Sequence, residues 1–247
     1  MDSIEQNYED FISTVSHELR TPLTSIRGFS QTMLTSWDKL DDDNKKKFIK
    51  IIEEQSNRLI HLVENMLSVT KLTSGNNRFV YNEISLNSLI DQTITIVKSQ
   101  YPNQNFKFNS SKNPVNVFVD KDKFQQVLTN VIENSAKYSV GDNVTMVSTE
   151  NQGNNVVIKI SNSGLALNEK DYEKIFTKFA RIDNPLTRKV QGSGLGLYIT
   201  KNLVEKMGGK ICVKSESVEN SDYAKITFII TIPLKSIEEE TRIKCNQ

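Results

Sequence analysis

The sequence predicts two folded units of different class: a helical hairpin that pairs with a second copy into a dimeric four-helix bundle, followed by an α/β sandwich on a mixed sheet. Two patterns and the break between them carry that reading. Up to residue 72 apolar residues recur three or four apart, the mark of helices that bury one stripe; beyond it, short alternating runs are interleaved with helical ones. Between them Thr73, Ser74, Gly75, Asn76 and Asn77 make a polar, glycine-containing break. The expected organisation is a hairpin over residues 1–72, a hinge over 73–78, the α/β unit over 79–235 and a charged, frayed tail over 236–247.

The first helix is expected over residues 4–34, with its stripe at Ile4, Tyr8, Phe11, Val15, Leu19, Leu23, Ile26, Phe29 and Met33. Pro22 has no N–H and crowds the Glu18 carbonyl, which predicts a kink one turn past His17. Residues 35–44, with Trp37 and the acidic run Asp41-Asp42-Asp43, read as a turn and a helix cap. The second helix has a seam at Phe48, Ile52, Gln55, Leu59, Leu62, Met66 and Val69. Neither stripe has a third element to cover it, so a parallel-subunit homodimer through residues 3–72 is expected.

In the second unit the pattern predicts a strand over 79–84, a helix over 86–99 and short strands over 106–108 and 115–119. Asp120 then caps a helix bearing Phe124, Val127, Leu128, Val131 and Ile132. A hairpin follows around Gln152-Gly153-Asn154, its strands over 144–150 and 156–161. Next come a short helix over 169–179, a long loop to Gly194, a helix over 195–207 ending at Gly208-Gly209, and strands over 211–214 and 225–233.

Composition bounds the function. Lys and Arg number 31 against 30 Asp and Glu, which gives no basis for the salt-sensitive attraction that drives nucleic-acid binding. The cysteines, Cys212 and Cys245, make neither a disulfide framework nor a metal knuckle, which suits a reducing compartment. No apolar run approaches the roughly 18 residues a membrane span requires, so the expected location is cytoplasmic, with membrane attachment only through a segment upstream.

Four places carry candidate chemistry. His17 lies two positions after Val15 and two before Leu19, so at about 100° per residue it is nearly opposite the stripe and faces solvent. Thr21 shares its face one turn on, and Glu18 is close enough to reach the ring. Asn130, Asn134 and Lys137 recur on one helical side beside Tyr138; amide oxygens suit a hard cation such as Mg²⁺, and a lysine suits phosphate. The run Gly192-Ser193-Gly194-Leu195-Gly196-Leu197 opens a helix, where free N–H groups can approach phosphate, yet it is neither a P-loop nor a dinucleotide fingerprint. Ser161-Asn162-Ser163-Gly164-Leu165-Ala166 ends a strand and can present a polar side chain to a base edge. Locally, each also fits a plain reading: a solvated histidine, a polar helix face, a flexible connection, a simple turn.

Judged together and in order, these segments resemble the catalytic core of a sensor histidine kinase, over about residues 5–233. Residues 16–23, Ser-His-Glu-Leu-Arg-Thr-Pro-Leu, resemble the phosphoacceptor box, and residues 130–138 the N box. Residues 175–181, Ile-Phe-Thr-Lys-Phe-Ala-Arg, resemble the phenylalanine box, and residues 192–197 the second glycine box. The resemblance implies that His17 is phosphorylated on a ring nitrogen, Glu18 acts as its base and Thr21 positions water for removal of phosphate from the partner. It implies that Asn134 ligates Mg²⁺ with Asn130 in support, and that Lys137 and Tyr138 face the phosphates or the base. Asn162 and Gly164 then meet the base, while Lys178, Arg181, Gly192, Gly194, Leu195 and Gly196 belong to the ATP site and its lid.

Two departures stand out. Where the family has Asp-x-Gly-x-Gly this chain has Asn162 and Ala166. An amide accepts from the adenine amino group without charge assistance, a loss of about 1 kcal/mol, and Ala166 matters only if its φ is positive. Lys178 also stands where arginine is common. The implied function is an ATP-dependent kinase that phosphorylates its own histidine and passes the phosphoryl group to an aspartate of a response regulator. A phosphatase-biased regulator of the same type and a nucleotide-gated dimeric scaffold are the alternatives.

Overall fold

A computed structural model describes residues 2–74, 78–111, 115–180, 192–217 and 223–234, with side chains from residue 12 onward. The chain forms two compact units, Met1–Thr73 and Ser74–Gln247. Residues 75–77 of the expected hinge, Arg181 and the expected tail lie outside the described residues.

The first unit is a hairpin of two long helices, α1 (Asp2–Ser36) and α2 (Asp42–Thr73), joined through a 3-10 turn at Trp37–Lys39. Asp41 starts α2: its Oδ1 accepts from the Asn44 N–H at 2.7 Å and its Oδ2 from Asn44 Nδ2 at 3.0 Å. Lys45 Nζ lies 4.8 Å from the Trp37 ring centroid and closes the turn. Phe29 and Phe48 meet with ring centroids 5.1 Å apart, and Met33, Leu62, Val69 and Leu72 are buried. α1 is continuous through Pro22, whose ring is buried. Leu23, placed in the stripe by its spacing, is 51% exposed: one facing helix is too narrow to cover a stripe this wide.

The second unit opens with β1 (Tyr81–Ser85), α3 (Leu86–Gln100), β2 (Asn105–Asn109), β3 (Asn116–Asp120) and α4 (Lys121–Lys137). Next are β4 (Val144–Gln152), β5 (Asn155–Leu165) and the single-turn α5 (Asp171–Lys174), then α6 (Gly196–Lys206), β6 (Lys210–Ser217) and β7 (Tyr223–Pro233). β1 and β3 form an antiparallel ribbon, and the other five strands make a mixed sheet in the order β2-β4-β5-β7-β6, parallel only between β2 and β4. α3, α4 and α6 pack on one face. Leu86, Ile90, Phe124, Leu128, Ile132, Ile199 and Val204 are buried there against Val147, Ile158, Ile160, Ile230 and Ile232.

Asp120 caps α4 as expected, accepting from the Lys123 N–H at 3.1 Å. Two other expectations are corrected. Residues 162–165 do not turn out of the sheet: β5 continues through Leu165 because Tyr223, Ala224, Lys225 and Ile226 of β7 supply the ladder for it. The helix expected over 169–179 stops at Lys174. Beyond it the amides of Phe176, Thr177 and Ala180 reach back three residues, and Phe179 takes φ 58, a left-handed conformation that ends any helix.

Candidate active site

On α1, His17 is exposed, and among the described residues its ring takes no hydrogen bond or ion pair. Thr21 is exposed one turn on, its Oγ1 donating to the His17 carbonyl at 3.4 Å. Glu18 is half-buried and turns across the hairpin, where its Oε2 accepts from Nη2 of Arg58 on α2 at 3.2 Å. Sequence reasoning missed Arg58, which is 40 residues from Glu18. The available signal was its place beside the seam residue Leu59, where a cation facing another helix calls for an acidic partner.

In the second unit the fold brings together residues far apart in sequence. Asn130, Asn134 and Lys137 stand on the last two turns of α4, with Tyr138 at its C-terminal cap. The start of α6 lies against them: Asn130 Nδ2 donates to the Gly196 carbonyl and to Thr200 Oγ1, both at 3.4 Å. A Cβ on Gly196 would sit 3.7 Å from the Asn130 carboxamide, and one on Gly192 would sit 3.5 Å from Lys137 Nζ and 3.8 Å from the Tyr138 hydroxyl. The glycines thus line a cradle whose other wall is α4. Gly194 has φ +68, and a Cβ there would lie 2.7 Å from the Phe179 backbone, so only glycine fits.

Leu195 is wholly buried, which leaves its backbone as the part able to meet a ligand; its N–H reaches Ser193 Oγ at 3.3 Å. Lys178 Nζ lies 5.4 Å from the Tyr198 ring centroid, against α6. Thr200, which holds Asn130, was also missed by the sequence reading.

Asn162 and Gly164 close the far end, where a Cβ on Gly164 would lie 3.4 Å from the Tyr138 carbonyl. Asn162, 5% exposed, donates from Nδ2 to the Ser163 carbonyl at 3.0 Å. That bond gives the N–H₂ group its partner and fixes the amide so that Oδ1 is the acceptor left to present. Ala166 carries no backbone strain, since Asn143 and Phe179 are the only non-glycine residues with positive φ among those described. Tyr101 packs near this site with its phenol held above the usual range, by burial first and then by the charges of Glu133 and Tyr138.

The arrangement suits a polyphosphate. The N-terminus of α6 points backbone N–H groups and a partial positive charge at the cradle, and Lys137 adds a full one. Among the described residues no cluster of three His, Cys, Asp or Glu side chains is able to hold a metal. The half-buried Asn134 carboxamide makes no side-chain hydrogen bond among the described residues. A single hard oxygen of this kind fits Mg²⁺, which takes its remaining ligands from phosphates and water.

Comparison with known proteins agrees with both halves. The family model of the His Kinase A (phospho-acceptor) domain matches residues 8–75. That of the histidine kinase-, DNA gyrase B- and HSP90-like ATPases matches residues 119–236. The sensor histidine kinase WalK of Bacillus subtilis (strain 168) is 34% identical over 245 residues, 97% of this chain and 39% of WalK. The signal transduction histidine-protein kinase ArlS of Staphylococcus haemolyticus (strain JCSC1435) is 32% identical over 231 residues, 92% of this chain and 51% of ArlS. The chain therefore spans about half the length of these relatives or less.

Among solved structures, the histidine kinase ThkA in complex with the response regulator protein TrrA matches with a TM-score of 0.68 and 27% identity, over 92% of this chain and 61% of that one. The isolated ThkA catalytic domain matches at 0.52 with 30% identity, over 63% of this chain and 96% of that domain. No helix among the described residues is long and apolar enough to cross a membrane. With a phospho-acceptor hairpin followed by an ATPase domain of this type, the chain belongs to the sensor histidine kinases.

Proposed function

We propose that this chain transfers the γ-phosphoryl group of ATP to its own His17 and passes it on to an aspartate of a response regulator. The observation that carries the reading is the exposed imidazole of His17, without a hydrogen bond or ion pair among the described residues, on a phospho-acceptor hairpin and in one chain with the glycine-lined cradle beside Asn134 and Lys137. One ring nitrogen of the neutral imidazole attacks the γ-phosphorus, the bond from phosphorus to the bridging oxygen breaks, and ADP leaves. Glu18 takes the proton from the other ring nitrogen, so the phosphorylated ring ends neutral.

Lys137 and the α6 N–H groups hold the phosphates, the Asn162 Oδ1 accepts from the adenine amino group, and Asn130 keeps α4 and α6 in register. Asn134 would hold Mg²⁺, which would offset charge on the triphosphate. The open apolar residues of the hairpin, Leu23 and Leu67 among them, support a homodimer through a four-helix bundle. A receiver domain docks near His17, and Thr21 orients water when phosphate is removed from it. The reaction belongs on the cytoplasmic side, where ATP is available, with any membrane tie supplied by other parts of a longer sensor.

Incubation with γ-³²P ATP and Mg²⁺ should label the chain, and His17→Gln should abolish labelling while dimerisation persists. Label retained by that variant, or none on the parent chain, would overturn the reading. The Asn162 substitution favours a second reading, a kinase-impaired regulator that mainly dephosphorylates its partner. Decay of a phosphorylated receiver that outpaces autophosphorylation would establish it.

A further inference from the structure

The base and the nucleophile of this proposed reaction are neighbours in sequence, yet Glu18 is bonded elsewhere. Its carboxylate reaches over the hairpin to Arg58 at 3.2 Å, through Oε2 alone. We infer that Arg58 is a positioning residue for phosphotransfer: it anchors one oxygen of Glu18 and leaves the other for the His17 ring. The inference rests on the kinase reading above.

The physical grounds are local. Both side chains of the pair are about four-fifths shielded from water, with relative exposures of 23% and 21%, so the contact is less screened than a surface pair. A glutamate side chain has three rotatable bonds, and an unanchored one would sweep solvent beside an exposed ring. Anchoring by a planar guanidinium limits that freedom. Among the described residues Oε1 takes no partner, so it is the oxygen left for an imidazole N–H when the His17 ring turns toward it, and Arg58 would then act on His17 through Glu18 as an outer partner orients a catalytic group.

Other charged or titratable groups within a turn are Arg20 on α1 and Glu54 and His61 on α2. His61 is engaged with Glu64 at 3.5 Å, and among the described residues Glu18 pairs only with Arg58, which is therefore the group that fixes where the Glu18 carboxylate stands.

The experiment is autophosphorylation by the full chain over a range of ATP concentrations, with Arg58→Gln and Arg58→Lys. Arg58→Gln should lower the maximal rate about tenfold, a part of the roughly 10²–10⁴ that a general base supplies, and leave the KM for ATP unchanged. Arg58→Lys keeps the charge and should recover part of the rate. If both variants only lower the melting temperature, with the maximal rate as in the parent chain, Arg58 merely pins two helices and the inference fails. If the parent chain takes no label, it is the kinase reading that fails.

Discussion

Gly194 shows what a single backbone position can decide. At φ +68, with the Phe179 backbone where a side chain would begin, alanine costs roughly 1 to 2 kcal/mol of conformational strain before any clash is counted. Gly194→Ala should therefore loosen the start of α6 and weaken ATP binding at least tenfold by calorimetry, with little change in the hairpin. Asn162 is a softer case. Its amide is already oriented by the Ser163 carbonyl, so Asn162→Ala removes about one hydrogen bond, and ATP affinity should fall about fivefold. The sequence singled out both residues as candidates, because their types are informative wherever they stand. It did not show that the Asn162 amide has a local acceptor or that Ala166 is unstrained, since those depend on neighbours and φ. Arg58 offered only its place beside the seam residue Leu59: its partner lies on the opposite helix, and only the pairing of α1 with α2 shows which carboxylate it meets.

At the level of elements, the cap of α4 gives the sharpest test. Burial alone would raise the Asp120 carboxyl, but hydrogen bonds from the Val80 and Lys123 amides and the Lys123 ammonium outweigh it and hold the group below the usual carboxylate range. A folded-state pKa below the unfolded one stabilises the fold above about pH 4, and that contribution is lost as pH falls through the folded-state value. Asp120→Ala should cost about 1 to 3 kcal/mol in urea unfolding at pH 7, with the gap narrowing as the pH falls through the folded-state value. In the hairpin, Ile60, Val63 and Leu67 follow one another three and four apart on α2 and stay open, Leu67 at 55%. Leu67→Glu should shift sedimentation equilibrium from dimer toward monomer at micromolar concentration; an unchanged dimer would remove that face from the interface. The helices were legible because periodicity of three and four is a local signal. The last third of β5 was not, because Asn162, Ser163 and Gly164 read locally as a turn while the strand that holds them, β7, begins at Tyr223. The stop after Lys174 was equally hidden, since a left-handed Phe179 leaves no trace in a sequence that keeps its helical spacing.

For the molecule as a whole, the proposed acceptor lies in one unit and the proposed nucleotide site in the other. The proposed phosphotransfer would then depend on the chain between them letting the two meet. Replacing residues 75–77 by three prolines should slow autophosphorylation at saturating ATP several-fold and leave ATP affinity unchanged, a split that separates a linker effect from damage to the site. The order of the two units and the break between them were readable from the change of period near residue 73. In the proposed reaction the phosphoryl group of ATP comes to rest on an imidazole. Tandem mass spectrometry of the ATP-treated chain, with samples held at acid and at alkaline pH, locates it. One added phosphoryl mass on the peptide carrying His17, localised to the ring, lost in acid and kept in base, is the predicted result; phosphate that survives acid and maps to Ser16 or Thr21, or no added mass at all, would contradict it.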